Sequence, residues 1–295
     1  MSKLSVLIAI DYWGWAFDFV SRGIQKYSKH NVTVKRWNEI DIFDFRKHDV
    51  FFSMNDSCWF CMNNKNKEII NRLKIRRCVG IRGWKGKHAN RILKGWIIGC
   101  VNQKIYDDLM KEKNLPVKGV YLTRNGVDTE IFKSVDRPEK RFVVGWAGNS
   151  HRPEKRFSLL RDVDFPLLVQ NKHDNKYRVK GRSRDEMIVF YNKIDCFVNV
   201  SSGEGMPQTI LEAAATRLPI VVTDVGGMSE FIDEKWIIPA FPVKTCIKTL
   251  NEKLQILKDN PKLRFEVGNK NLRKVLNKWD WKYIVEDYDR MFEGA

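Results

Sequence analysis

The sequence predicts an α/β protein built from two Rossmann-like units in tandem. Three observations predict it. Short apolar runs alternate with longer amphipathic stretches, the mark of a parallel sheet flanked by helices. The strand–loop–helix pattern of the amino terminus starts again at Arg141. The chain has 295 residues, 43% of them hydrophobic, enough for two cores without disulfide or metal staples. The expected division is 1–137 and 138–282, with a terminal helix over about 283–295 returning to the first unit.

In the first unit, Val6–Ile10 reads as a buried strand that ends in the loop Asp11-Tyr12-Trp13-Gly14-Trp15. A helix follows from Ala16 to Ser28, then strands over Val32–Trp37 and Asp49–Met54. Next come a helix (Lys65–Leu73), strands (Arg77–Ile81 and Trp96–Val101), a helix (Gln103–Glu112) and the strand Gly119–Leu122. In the second unit, strands are expected at Arg141–Trp146, Pro166–Val169, Asp195–Val200 and Leu218–Thr223. Ser183-Arg184-Asp185-Glu186 spells a capping box that opens a helix to about Asn192, and another helix runs from Pro207 to Thr216. In open parallel sheets, ligands sit beyond the carboxyl ends of the strands.

The amino terminus, Met1 to Asp11, has an apolar run too short for a signal peptide and no small-residue cleavage site. No stretch approaches the roughly 20 apolar residues of a membrane span. The expected location is therefore the cytoplasm. Of six cysteines, Cys58 and Cys61 form a lone CxxC, and no second ligand pair stands at metal spacing, so buried free thiols are expected. The formal net charge is +17, and Lys65 to Lys94 holds eleven Lys or Arg against one acid, Glu68. Such a run is either a solvated face or the footprint of a polyanion, nucleic acid or an anionic membrane surface.

The segment Ser201 to Ala214 carries the chemistry. A small-residue loop after a strand bears Glu204, and a helix begins near Pro207, where proline suits the first turn. The N–H groups from Gly205 to Thr209, with the helix dipole, favour a phosphate. Glu212 lies about one turn into that helix, so both carboxylates can face one ligand and accept from sugar hydroxyls.

Glu204 and Glu212, separated by seven residues, resemble the EX7E motif of retaining glycosyltransferases of the GT-B fold, family four. The flanks are similar as well: Asn125-Gly126-Val127-Asp128 with Phe132, Val144 to Asn149 leading to Lys155, and Leu218 to Gly227 leading to Glu230. The resemblance covers about residues 120 to 232, and Trp279-Asp280-Trp281 with the helix after it resembles the family's crossing helix. It implies two Rossmann-like domains facing across a cleft and a nucleoside-diphosphate sugar as donor, with no metal or other cofactor. Glu204 would hold donor-sugar hydroxyls, Glu212 the ribose, and Lys155 the diphosphate leaving group. Gly205, Met206, Pro207, Gln208 and Thr209 would seat the sugar and diphosphate. The family's arginine six residues before the lysine is Asn149 here, so Arg152 is taken as the second catalytic cation and Asn149 as a donor contact. The residue after the lysine, usually glycine, is Arg156, a third cation or an exposed side chain. The glycine pair after the first strand is reduced to Gly14, which is kept as a donor contact. Asp162-Val163-Asp164 and Asp287-Tyr288-Asp289 spell DxD by chance.

The first half departs from the family, so the acceptor does not carry over. Arg82, Trp84, Lys85 and Lys87 are the candidate acceptor contacts: the glycines among them permit close backbone approach and Trp84 offers a stacking surface. Three readings stay open. One is transfer to a glycan or lipid-linked acceptor, with the basic face docked on the inner membrane surface. Another is glycosylation of nucleic acid, such as a modified base in viral DNA. The third is a nucleotide-sugar-binding homologue without activity.

Overall fold

The computed structural model describes residues 2–55, 68, 75–81, 95–112, 114–115, 117–135, 141–171, 174–175, 178–179 and 183–295. The CxxC pair, the helix expected over Lys65–Leu73 and the acceptor candidates Arg82, Trp84, Lys85 and Lys87 lie outside them. The chain forms two compact units, one of residues 1–126 with 281–295 and one of residues 127–280.

The first unit begins with β1 (Ser5–Ile10), buried over Val6–Ile10 as a strand covered on both faces must be. Helix α1 (Ala16–Tyr27) buries Phe17, Val20, Ser21 and Ile24, one stripe at helical spacing. Then come β2 (Asn31–Arg36), α2 (Ile42–Lys47), β3 (Val50–Ser53), β4 (Arg76–Ile81), β5 (Ile97–Cys100), α3 (Gln103–Met110) and β6 (Gly119–Leu122). All pairings in the sheet are parallel and the order is β2-β1-β3-β4-β5-β6. Helix α2 goes beyond the sequence expectation. Its signal is an aspartate capping box: the Asp41 carboxylate accepts from the Phe43 and Asp44 N–H groups, and Asp44 returns the bond to the Asp41 N–H at 2.9 Å.

The second unit contains β7 (Val144–Gly148), β8 (Leu167–Asn171) and a short antiparallel pair, β9 (Asp174–Asn175) and β10 (Arg178–Val179). Helix α4 (Arg184–Tyr191) opens with the expected box, the Ser183 hydroxyl accepting the Glu186 N–H at 3.2 Å. Then follow β11 (Cys196–Asn199), α5 (Gln208–Ala215), β12 (Ile220–Thr223), α6 (Met228–Phe231) and β13 (Ile237–Ile238). Helices α7 (Val243–Asp259) and α8 (Pro261–Lys274) complete the unit, α8 with proline at its first position. The sheet is parallel in the order β13-β12-β11-β7-β8.

The division falls after Gly126, eleven residues before the expected one. The cause is local. Val127 forms a parallel bridge with Asp280 and donates its N–H to the Trp279 carbonyl at 2.9 Å. Thr129 donates its hydroxyl to the Asp280 carboxylate, and Phe132 packs edge-on against Tyr191, ring centroids 6.1 Å apart. Residues 127–132 are thus bound to the second unit before the strand pattern restarts.

Helix α9 (Trp281–Glu293) belongs to the first unit and packs on α1, β5 and β6. Its Trp281, 1% exposed, requires two glycines: a Cβ on Gly23 would lie 2.1 Å from the indole and one on Gly126 2.8 Å from it. Asp289 accepts from the Ser28 hydroxyl at 2.5 Å and the Lys29 N–H at 3.2 Å, so this half of a DxD pattern fastens the helix to the end of α1. Phe292 and Tyr288 meet Phe52 of β3 edge-on. Trp281→Ala is expected to cost about 3–5 kcal/mol through the cavity it leaves. Urea denaturation followed by a probe in the first unit measures this, and a loss under about 1 kcal/mol, within the range of surface substitutions, would contradict the packing.

Candidate functional site

In the second unit the strand order turns back on itself between β7 and β11: β8 lies on one side, while β12 and β13 continue on the other. Loops leaving the carboxyl ends of strands at such a switch point form the ligand site of an open α/β sheet. The loop after β7 carries Asn149 to Arg156, and the loop after β11 carries Val200 to Pro207. The Ser202 N–H donates to the Glu154 carbonyl at 2.8 Å, joining the two loops directly.

Glu204 sits at their meeting point. Its Oε1 accepts from Lys155 Nζ at 2.5 Å, Ser201 Oγ at 2.7 Å and, weakly, Asn199 Nδ2 at 3.4 Å. The pair is largely enclosed, with side-chain exposures of 17% for Lys155 and 11% for Glu204, so it is a short charge-assisted bond rather than a surface ion pair. Among the described residues, Oε2 accepts no hydrogen bond. Ser201 is held in turn: its N–H donates to Asn199 Oδ1 and its carbonyl accepts from Thr223 Oγ1 at 2.6 Å.

Gly226 backs this loop. Its φ of +60° is the left-handed region, and a Cβ there would lie 2.0 Å from the Glu204 carbonyl oxygen. The next N–H, of Gly227, donates to the Gly205 carbonyl at 2.8 Å. The glycine pair after β12 therefore lets one loop press against the carbonyls of the other.

Arg156 is neither of the things expected of it. Its φ of +47° and ψ of +40° are left-handed, the conformation glycine adopts at no cost. The guanidinium donates to the carbonyls of Val200 at 2.6 Å, Ala240 at 2.6 Å and Ser201 at 3.4 Å, and lies over the Phe241 ring at 5.1 Å. Its charge is directed at backbone at the end of β11, one residue from Lys155. Arg152 stands outside the Glu204 cluster: its side chain is 56% exposed and paired with Glu154 at 2.5 Å. Asn149 is buried, and its Oδ1 accepts the His151 N–H at 2.9 Å.

Glu212, on α5, is 6% exposed and has its own partner, Tyr191 of α4, whose hydroxyl donates to Oε2 at 2.8 Å. Burial pushes the Glu212 carboxyl above its ordinary range, and burial beside that carboxylate raises the Tyr191 phenol far above its own. Sequence reading missed Tyr191. Its signal was a phenol ending a capped helix among apolar residues, a polar tip that needs a partner when buried.

The other candidates divide. Gln208, first residue of α5, has its amide nitrogen buried with no hydrogen-bond partner, a donor that costs stability unless something accepts from it. The Thr209 carbonyl accepts from Tyr191 at 3.3 Å. Met206 is buried, so only its backbone is available to a ligand, and Pro207 is the extended residue before α5 rather than part of its first turn. Gly205 is half-buried in the same loop. Gly14, in the first unit, turns at φ +74° and gives its N–H to Asp18 at 2.8 Å, so that amide is engaged within its own loop.

The described cysteines, 78, 100, 196 and 246, are buried free thiols, and burial holds Cys100 up at about 12. Among the described residues no group of three His, Cys, Asp or Glu is placed to hold a metal, and no helix is long and apolar enough to cross a membrane.

The family model described as "Glycosyl transferases group 1" matches residues 118–255, which contain both loops, Lys155, Glu204 and Glu212. That stretch is similar to a group 1 glycosyltransferase domain. The chain is 24% identical over 225 residues to the capsular polysaccharide biosynthesis glycosyltransferase CapM of Staphylococcus aureus, covering 64% of this chain and 57% of CapM. The chain thus spans a little over half the length of this curated relative. A glycosyltransferase from Rickettsia africae superposes with a TM-score of 0.77 at 12% identity, over 99% of this chain and 98% of that one. Anabaena HepE, solved in complex with UDP-glucose, superposes with a TM-score of 0.77 at 11% identity, over 99% of this chain and 100% of that one. The fold is therefore the two-domain α/β fold of these proteins, as the GT-B resemblance implies.

Within the second unit, Arg156 supplies a discriminating test. Arg156→Gly removes the guanidinium bonds but relieves the left-handed backbone, whereas Arg156→Ala removes the bonds and keeps the strain. Both are expected to destabilise the domain, alanine by about 1 kcal/mol more than glycine. Urea denaturation of the two variants measures the order, and an alanine variant as stable as the glycine one would contradict the backbone argument.

Proposed function

We propose that this protein is a retaining glycosyltransferase that moves a sugar from a nucleoside-diphosphate sugar to a hydroxyl acceptor. The observation that carries the reading is Glu204, fixed through Oε1 by Lys155 and Ser201, with Oε2 left to accept from the donor sugar's hydroxyls. Lys155 supplies positive charge beside the departing diphosphate, stabilising negative charge where it develops. Glu212 accepts from the ribose with the oxygen that Tyr191 does not use. The Gln208 amide and the leading N–H groups of α5, which no side chain caps, suit a phosphate or sugar oxygen.

In the reaction the bond from the anomeric carbon to the phosphate oxygen breaks, and that oxygen keeps the electron pair. The acceptor hydroxyl oxygen bonds to the anomeric carbon from the same face and passes its proton to the leaving phosphate. No protein nucleophile and no metal are part of this reading. Lys155 is the cation it relies on, and the exposed Arg152–Glu154 pair has no step assigned.

The favoured acceptor is a glycan or lipid-linked saccharide at the inner membrane surface, the chemistry suggested by the name of the capsular polysaccharide relative. The net charge of +17 supports a second reading, transfer to nucleic acid, since either surface is polyanionic. The paired Glu204 and Lys155 weigh against a homologue without activity.

Calorimetry with UDP and GDP, paired with donor hydrolysis, tests the roles. Glu212→Gln and Lys155→Ala are expected to weaken the nucleotide by roughly tenfold or more, as for loss of a hydrogen bond to a charged group. Glu204→Gln should leave nucleotide binding nearly unchanged while lowering turnover by about a hundredfold. Equal effects of all three on the free nucleotide would sink the division of roles.

A further inference from the structure

Helix α4 ends in a phenol with no contact to water. Tyr191 is 0% exposed, and three rings meet it edge-on: Phe132, Phe190 and Phe197, with centroids 6.1, 5.2 and 5.8 Å away. They come from separate parts of the second unit, namely the segment after Val127, α4 itself and β11. A ring packed by three others keeps one orientation, so its hydroxyl is aimed at one place. That place is α5. The hydroxyl donates to Glu212 Oε2 at 2.8 Å, with the Thr209 carbonyl a longer second acceptor at 3.3 Å.

A carboxylate as enclosed as Glu212, 6% exposed, needs donors to stay ionised. Burial pushes its carboxyl above the ordinary range, and two groups on α4 oppose that, the Tyr191 hydroxyl first and the charge of Arg184 second. Arg184 lies over the Phe132 ring at 5.7 Å and acts on the carboxylate as a nearby charge. Among the described residues, no charged group of β11, β12, α8 or the turn after it, the other elements packed on α5, acts on it.

A phenol suits this place better than a cation would. Burial beside the carboxylate raises the Tyr191 phenol far above its ordinary value, so it stays a donor at every physiological pH. Being neutral, it satisfies one oxygen without cancelling the negative charge, and the other oxygen stays a strong acceptor.

We propose that Tyr191 is a positioning residue for the donor nucleotide: through its bond to Oε2 it holds the Glu212 carboxylate fixed and ionised for the ribose hydroxyls. The proposal rests on the sugar-transfer reading, in which Glu212 meets the ribose, and adds how that contact responds to pH. Glu212's share of the binding is complete while the carboxyl is ionised and is lost as the pH falls through its raised pKa. Removing the phenol takes away a bond that favours the charged form, which moves that loss to higher pH.

Calorimetry with UDP, GDP and their 2′,3′-dideoxy analogues between about pH 5 and pH 8 tests it, since only the full nucleotides offer ribose hydroxyls. The ratio of affinities, nucleotide over dideoxy analogue, cancels the titration of the phosphates and any general loosening of the site. For the unaltered protein the ratio should be about tenfold or more at the alkaline end and fall on acidification. Tyr191→Phe keeps the ring and its packing. Its ratio should fall at a higher pH than in the unaltered protein and be lower by about fivefold or more near neutrality. In Glu212→Gln the ratio should be small and flat with pH, and adding Tyr191→Phe to that variant should change it by less than about twofold. A Tyr191→Phe profile that overlays the unaltered one would overturn the proposal. So would equal weakening of nucleotide and dideoxy analogue at every pH, the result of a role in folding alone. A ratio near one for the unaltered protein with both nucleotides, or no nucleotide binding at all, would count instead against the sugar-transfer reading with Glu212 on the ribose.

Discussion

The enclosed contact between Lys155 and Glu204 is the constraint around which the second unit is arranged. A lysine and a glutamate held largely out of water are stable there only if each is partnered and the surrounding groups are fixed. The neighbouring features supply that. Ser201 and Asn199 converge on the same carboxylate oxygen, Thr223 holds the Ser201 carbonyl, and Arg156 ties the carbonyls at the end of β11 to the segment before α7. Gly226 lets the loop after β12 close against the Glu204 carbonyl, where any side chain would collide. Lys155 and Glu204 can meet because β7 and β11 are neighbours at the point where the strand order reverses. A site fixed this way keeps its charges in place before a ligand arrives, which is what electrostatic stabilisation of a leaving group requires.

Much of this was legible in the sequence, and the reasons differ by residue. The apolar runs at Val6–Ile10 and Cys196–Val198 read as strands buried on both faces, and the box at Ser183 to Glu186 fixed the start of α4. The spacing of Glu204 and Glu212 placed one on a loop and one on a helix, as found. What stayed hidden was tertiary. Nothing local says that Tyr191 meets Glu212, because the pairing depends on how α4 packs against α5. Arg156 read as a third cation or an exposed side chain, since nothing local reveals that its guanidinium turns inward to carbonyl groups. The unit boundary was misplaced because Asp280, more than a hundred residues away in sequence, captures Val127 and Thr129.

The two units use the same topology for different surfaces. In the second, the loops at the reversal bring together ionised groups and an unsatisfied amide, a polar site suited to a charged ligand. In the first, the corresponding loop carries the exposed Tyr12 and Trp13 beside Arg36 and Arg22. Fold alone does not assign chemistry to either; the residues placed on the loops do. The terminal helix returns to the first unit through Trp281, whose ring fits only against Gly23 and Gly126. The last glycine before the crossing is thereby tied to the first residue after the return.

A structure of the protein with bound UDP tests the central claim most directly. The account predicts the diphosphate between the loops after β7 and β11, with a phosphate oxygen in salt-bridge contact with Lys155 Nζ, the ribose on Glu212, and Glu204 still held by Ser201. Nucleotide bound away from that reversal, or bound there with neither Lys155 nor Glu212 touching it, would contradict the account.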